Sequence, residues 1–210
     1  FESMEIWNGA TPFAAGTINA KAFKKWLSLL DEGKRLTATT GSDTHNIYGD
    51  DYFGMTEWLD WLMDIVMKHP EIYPEQMNEK VAYLTWLYKN GKNQPQEILQ
   101  AIREGHSFIS NGPLITAEIN GVSYGDTATL KDNTGKLSVH VFSKKPINHL
   151  WMYTGVDKKV EICTGSGSLE GGFAYDIVTD EFDFGGASWA LFVADGGENN
   201  LAISNPILFA

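Results

Sequence analysis

The sequence predicts an α/β unit followed by an all-β domain, and three observations carry the prediction. A strand–helix–strand pattern fills the first 45 residues. Helical spacing then dominates residues 55 to 104, and after Gly112-Pro113 the hydrophobic period shortens to two. The 210 residues suit one large domain or two small ones, and 43% hydrophobic against 20% charged residues is ordinary for a chain with a sizeable core.

In the first part, Met4, Ile6 and Trp7 form a short apolar strand that ends at the turn pair Asn8-Gly9. Phe23, Trp26, Leu27 and Leu30 recur at helical spacing, and Gly33 stands where a C-terminal cap belongs. Thr37 to Thr40 supply the next strand. Two strands joined by one helix form a β-α-β unit with parallel strands, and ligands in such folds sit at the strands' carboxyl ends. Asn8 and Asp43 both fall at such ends.

Trp58, Leu59, Trp61, Leu62, Ile65 and Val66 cover most of a helix circumference, which marks a buried helix or an oligomer interface. A second helix is expected over about 79 to 88. A third starts at Pro95, turns Ile98, Leu99 and Ile102 inward and stops at Gly105. Beyond 112, Ile115, Ala117 and Ile119 alternate with polar residues up to Asn120-Gly121, and Leu137, Val139 and Val141 alternate again after Asn133-Gly135. This pattern predicts an antiparallel sandwich of about seven strands. The expected domains are therefore 1–112 and 113–210.

Net charge is −11, with a pI near 4.8 and no basic run longer than a pair such as Lys24-Lys25. Nucleic-acid binding and attachment to anionic membranes are not expected, since both rely on basic patches. No apolar run approaches the roughly 20 residues of a membrane span. A lone Cys163 forms no internal disulfide, and no signal peptide is visible, so the compartment stays open between cytoplasmic and secreted or periplasmic.

The stretch TATTGSDTHN at 37 to 46 brings Asp43 and His45 to the end of a strand. A carboxylate and a neutral imidazole two residues apart suit Zn, Mn or Fe, while the same residues also suit a turn bonded to its own backbone. GSGSLEGG at 165 to 172 lacks the lysine and following helix of a phosphate loop, and is expected to be a hairpin loop. Asp176, Asp180, Glu181 and Asp183 lack the spacing of a calcium loop. Phe173, Tyr175 and Ile177, followed by Phe182 and Phe184, predict two strands with acidic outer faces. His140 is expected at the surface, while His69 at a helix end and His149 at a strand start have no partner nearby in sequence. His106, just past the third helix, is the one further histidine retained for the site. No Gly-x-Ser-x-Gly elbow occurs and Cys163 has no evident base, so nucleophilic catalysis is not expected.

Several of these segments together resemble a known family. MEIWNG (4–9), W-x-x-LL-D-E-G (26–33), TTGSDTHN (39–46), EILQAIREGHSFISNGPLI (97–115) and SNPILF (204–209) are similar to the closing part of PHP-domain proteins. PHP denotes the polymerase and histidinol phosphatase superfamily of metal-dependent phosphoesterases, here its carbaryl-hydrolase-like subgroup. The similarity touches most of the chain except the helical stretch at 50–93. It implies the C-terminal remnant of a (β/α)7 barrel with a helical insertion, followed by an immunoglobulin-like β-sandwich. It further implies that Asp43 and His45 bind a divalent metal, with Glu5 as an added metal candidate. Asn8 and His106 would act as catalytic neighbours that orient a small phosphoester or ester substrate. The family's opening His-x-His strand does not occur in this sequence. The implied protein is therefore the C-terminal portion of a longer hydrolase, without full activity alone and with the Trp-rich helix available for oligomer contacts. A competing expectation is a non-catalytic module whose sandwich, through Trp151, Tyr153, Tyr175 and Trp189, recognises carbohydrate or a partner protein.

Overall fold

The computed structural model describes residues 2–8, 13–41, 95–163, 167–169, 171–197 and 200–210. Strand β1 (Ser3–Asn8), helix α1 (Ile18–Asp31) and strand β2 (Thr37–Gly41) form the expected unit, and β1 pairs with β2 in parallel. Helix α1 starts at Thr17, whose hydroxyl accepts from the Ala20 amide at 3.3 Å. It ends at Gly33 (φ +77°), where the Gly33 amide bonds to Leu30 O and the Lys34 amide to Leu29 O. This is the paired C-terminal cap that a left-handed glycine permits.

Helix α2 (Pro95–Arg103) follows the expected third helix, and Gly105 (φ +76°) lies just beyond its end. Leu99, expected on the inward stripe, is 53% exposed. Spacing marks an apolar stripe but does not say how far a neighbour will cover it. The expected helices over 55–66 and 79–88, and the corner at Asp43 and His45, lie outside the described residues.

The remaining strands are β3 (Phe108–Ser110), β4 (Leu114–Ile119), β5 (Val122–Ser123), β6 (Thr127–Ala128), β7 (Thr134–Ser143), β8 (His149–Gly155), β9 (Lys158–Cys163), β10 (Gly167–Leu169), β11 (Gly172–Asp183), β12 (Trp189–Asp195), β13 (Leu201–Ser204) and β14 (Ile207–Phe209). One sheet runs β10-β11-β7-β4-β5. The other runs β3-β13-β12-β14-β6, with β8 and then β9 on the opposite edge of β12. Pairing is antiparallel except where β14 meets β6. The two sheets enclose one core: Ile115, Ala117, Ile119, Leu137, Val139 and Val141 from the first meet Leu150, Met152, Ala190 and Phe192 from the second. The inward residues expected for β4 and β7 are all here.

Two expectations about strands change. Phe173 to Phe184, expected as two strands, belongs mostly to the single twelve-residue β11, whose register with β7 shifts between Thr179 and Phe182. An extra residue at such a bulge flips the alternation, so the inward set passes from odd to even positions without the strand ending. The glycine-rich stretch expected as a loop contributes β10, which pairs back onto Gly172–Ala174 of β11.

Strand β12 is buried on both faces. Ala190, Phe192 and Ala194 turn into the sandwich, while Trp189, Leu191 and Val193 turn into a second core with Ile6, Phe23, Trp26, Leu27 and Leu30. The β-α-β unit thus covers the outer face of one sheet. Burying each of these larger side chains contributes roughly 1.5–3 kcal/mol. Polar anchors fix the stack: Trp26 Nε1 donates to Leu36 O (2.8 Å), and Asp31 accepts from Trp189 Nε1 (3.2 Å) and from the Val156 amide (3.0 Å).

Residues 1–43 and 102–210 form one compact unit and 44–101 another. The boundary expected at 112 falls within the first of these units. Strand β3, before that boundary, pairs with β13 after it.

Asn205, 0% exposed, joins β2 to the sandwich. Its Oδ1 accepts from the Ala38 amide (2.7 Å), and its Nδ2 donates to Ser107 O (2.9 Å), Ser107 Oγ (3.1 Å) and Ala38 O (3.4 Å). Replacing it leaves buried backbone groups without their partner, at roughly 1–3 kcal/mol each. Asn205→Ala is expected to lower stability to urea by about 2–4 kcal/mol; a loss below about 0.5 kcal/mol would show that the clamp does not hold β2.

Candidate functional site at the carboxyl ends of the parallel pair

In the β1–β2 pair, Glu5 lies opposite Thr39, Trp7 opposite Thr40 and Asn8 opposite Gly41. Register shifts between Glu5 and Trp7, so two residues of β1 span one of β2. Consecutive Ile6 and Trp7 are both buried, while Glu5 stays exposed. Its carboxylate settles over Gly41, where an added Cβ would lie 3.3 Å from Oε2 and 3.5 Å from both Cδ and Oε1. Glycine at 41 therefore leaves the room the carboxylate occupies.

The strand ends are held rigidly. Thr40 Oγ1 donates to Trp7 O at 2.7 Å. Buried Asn19, in the first turn of α1, accepts from the Asn8 amide (3.0 Å) and donates to Asn8 O (3.1 Å). One side-chain amide thus satisfies both backbone groups of Asn8, half-buried at the tip of β1. Glu5, Asn8 and Gly41 are brought to one end, and Asp43 and His45 come two and four residues after Gly41 in the chain, outside the described residues.

His106 is not brought there. Its Nε2 lies 2.9 Å from Asp126 Oδ1 and its Nδ1 3.4 Å from Glu104 Oε2, so both ring nitrogens face carboxylates. A Cβ added to neighbouring Gly105 would lie 3.5 Å from Thr37 Oγ1, at the first residue of β2. Gly41 is four residues further on, about 13 Å at the rise of a strand. The chains cross here at Gly125 (φ +92°), where any side chain would collide with Glu104 O and the His106 ring. Helical spacing up to Gly105 located His106 in the sequence but not the strand end beside which it emerges.

Two other histidines have cross-strand partners that sequence proximity does not reveal. His140 Nδ1 lies 2.6 Å from Asp176 Oδ1, and His149 Nδ1 lies 2.6 Å from Glu161 Oε1. Among the described residues, no group of three or more His, Cys, Asp or Glu side chains is placed to hold a metal.

The aromatics of the competing expectation divide. Tyr175 is 4% and Trp189 1% exposed, and both serve the cores. The Tyr175 hydroxyl accepts from the Ile147 amide at 2.6 Å. Trp151 is half-buried, stacked on His149 (centroids 5.1 Å apart) with Lys159 Nζ 3.9 Å from its ring centre. Tyr153 meets Phe23 edge-on at 5.5 Å, and burial, then the Asp195 charge, pushes its phenol pKa up.

Comparison with models of known protein families, with curated proteins and with solved structures finds no match.

Asn19→Ala is expected to lower stability by about 1–3 kcal/mol and to speed hydrogen exchange at the Asn8 amide. Unchanged exchange there would show that Asn19 does not hold the tip of β1.

Proposed function

We propose that this chain is the C-terminal portion of a metal-dependent, phosphoesterase-like hydrolase. In this reading Asp43, His45 and Glu5 contribute part of a divalent-metal site, and an immunoglobulin-like sandwich serves as accessory domain. The observation that carries the reading is the Glu5 carboxylate seated over Gly41 at the carboxyl end of a parallel strand pair. That is the end where α/β folds hold ligands. Asp43 follows Gly41 by two residues, so chain connectivity keeps the two Cα atoms within about 7 Å. Two carboxylates and an imidazole form a donor set suited to Zn, Mn or Fe. The remaining ligands are expected from the His-x-His strand with which the resembled family opens, and this chain alone lacks full activity.

When bound, such metals lower the pKa of a coordinated water and stabilise charge on a phosphoryl or carbonyl oxygen. The chain's own contribution is to hold and orient. Glu5 and Asp43 supply negative charge, His45 supplies a neutral nitrogen, and Asn8, with its backbone clasped by Asn19, orients a substrate oxygen. His106, paired with Asp126 near the other end of β2, takes no part in this reading. The net charge of −11 does not oppose a phosphoester, because bound metals dominate the local field. The competing binding-module reading is left with Trp151 and Tyr153, whose rings already engage Lys159, His149 and Phe23.

Equilibrium dialysis of the chain against Mn²⁺ or Zn²⁺ tests the site. Asp43→Ala and His45→Ala are each expected to weaken binding tenfold or more, Glu5→Gln less, and His106→Asn not at all. Equal metal content in wild type and Asp43→Ala would remove Asp43 as a ligand. Coding sequence upstream of Phe1 is expected to carry an in-frame His-x-His; a stop codon there would remove the hydrolase reading.

A further inference from the structure

The outward residues of β7 carry a second constellation, independent of the metal site. Lys136, Ser138 and His140 alternate with inward Leu137, Val139 and Val141, so the hydroxyl and the imidazole share one face. Asp176 of β11 lies directly opposite His140 in the ladder and therefore shares that face. His140 Nδ1 is 2.6 Å from Asp176 Oδ1, and His140 Nε2 is 3.0 Å from Ser138 Oγ. An ionised carboxylate can only accept, so the neutral imidazole places its proton on Nδ1 toward Asp176. That leaves Nε2 with a lone pair facing the Ser138 hydroxyl. Carboxylate, imidazole and hydroxyl are thus joined through the ring nitrogens in the order that activates a serine.

The surroundings shelter the relay on one side. The His140 side chain is 21% exposed, and Ser138 is half-buried. The next outward row, Leu114 opposite Phe142, is fully buried. Ser138 has Glu118 opposite it on β4 and exposed Val178 opposite it on β11. Lys136 on the same face is paired with Asp180 (3.3 Å), so Glu118 and Asp176 leave the face negative, and it favours neutral or cationic electrophiles over anions.

We propose that Ser138 is an activated nucleophile that takes an acyl group from neutral or cationic carboxylic esters, with His140 as its general base. Asp176 is a positioning residue that holds the imidazole tautomer. Ser138 Oγ bonds to the ester carbonyl carbon as its proton passes to His140 Nε2. The ester C–O bond then breaks, and the departing alkoxide takes that proton and leaves as the alcohol. Water, deprotonated by the same imidazole, releases the acid and restores the serine.

The test uses the whole chain in excess chelator, which separates this site from any metal-dependent hydrolysis. The probe is a neutral dialkyl fluorophosphate, which forms an Oγ–P bond with loss of fluoride. Intact mass and peptide mapping are expected to find one adduct, on Ser138, absent in Ser138→Ala. His140→Gln and Asp176→Asn are expected to slow it at least tenfold, and Asp176→Glu to recover part of the rate, all with unchanged melting temperature. No adduct on Ser138, or labelling at the wild-type rate in His140→Gln, would overturn the proposal. A hydrogen bond that was merely structural would move the melting temperature and not the labelling rate.

Discussion

The amide of Asn205 is the contact on which the arrangement of layers depends. A single neutral side chain supplies one acceptor and two donors, and here the acceptor meets the Ala38 amide while the donors serve Ala38 and Ser107. Only one orientation of the amide meets these partners, because the backbone N–H must meet Oδ1 and the carbonyls must meet Nδ2. Among the described residues, strand β2 has a strand partner on one edge only, β1, and the Asn205 side chain does on the other edge what a further strand would do. A charged or apolar residue at 205 cannot reproduce that mixture of donor and acceptor in a site closed to water.

With β2 fixed, the doubly buried sheet follows. Trp189, Leu191 and Val193 have no exposed alternative, because the β-α-β unit covers the face to which they point. The unit needs that sheet equally, since α1 turns Phe23, Trp26, Leu27 and Leu30 toward it. Both proposed sites lie at places the two cores do not use. The carboxyl ends of β1 and β2 are one such place, and the outward face of β7 and β11 is the other.

Local period made much of this fold legible. The helix at Phe23–Leu30 with its Gly33 cap, the parallel flanking strands, and the inward sets of β4 and β7 all follow from spacing within a dozen residues. What was not legible depends on distance along the chain. Asn205 lies 167 residues from Ala38, and Asp176 lies 36 from His140. No periodicity within a window links such pairs, so the spacing of β7 places His140 at the surface and says nothing of Asp176. The β11 bulge was missed for a different reason: one inserted residue reverses parity, which in sequence looks the same as one strand ending and another beginning. At the strand end, Asn8 was legible from the strand pattern, while Glu5 came only from the family resemblance. His106 emerges beside the first residue of β2, because a glycine stop marks where a helix ends and not which end of the neighbouring strand it meets.

The strand end itself shows why a glycine matters there. In a regular strand Glu5 and Trp7 would share a face, and Glu5 would then compete with an indole for the apolar side. The irregularity between them resolves the conflict, sending Ile6 and Trp7 both inward and leaving Glu5 outside. Once outside, the carboxylate lies against Gly41, opposite Asn8, where an added Cβ would sit 3.3 Å from Oε2. The irregularity turns the carboxylate outward, and the glycine leaves it room against the last residue of the neighbouring strand. Both features belong to the parallel strand pair, and Gly41 comes shortly before Asp43 and His45 in the chain. In the proposed reading, their coincidence at one strand end is what favours a bound ion over a turn bonded only to its own backbone.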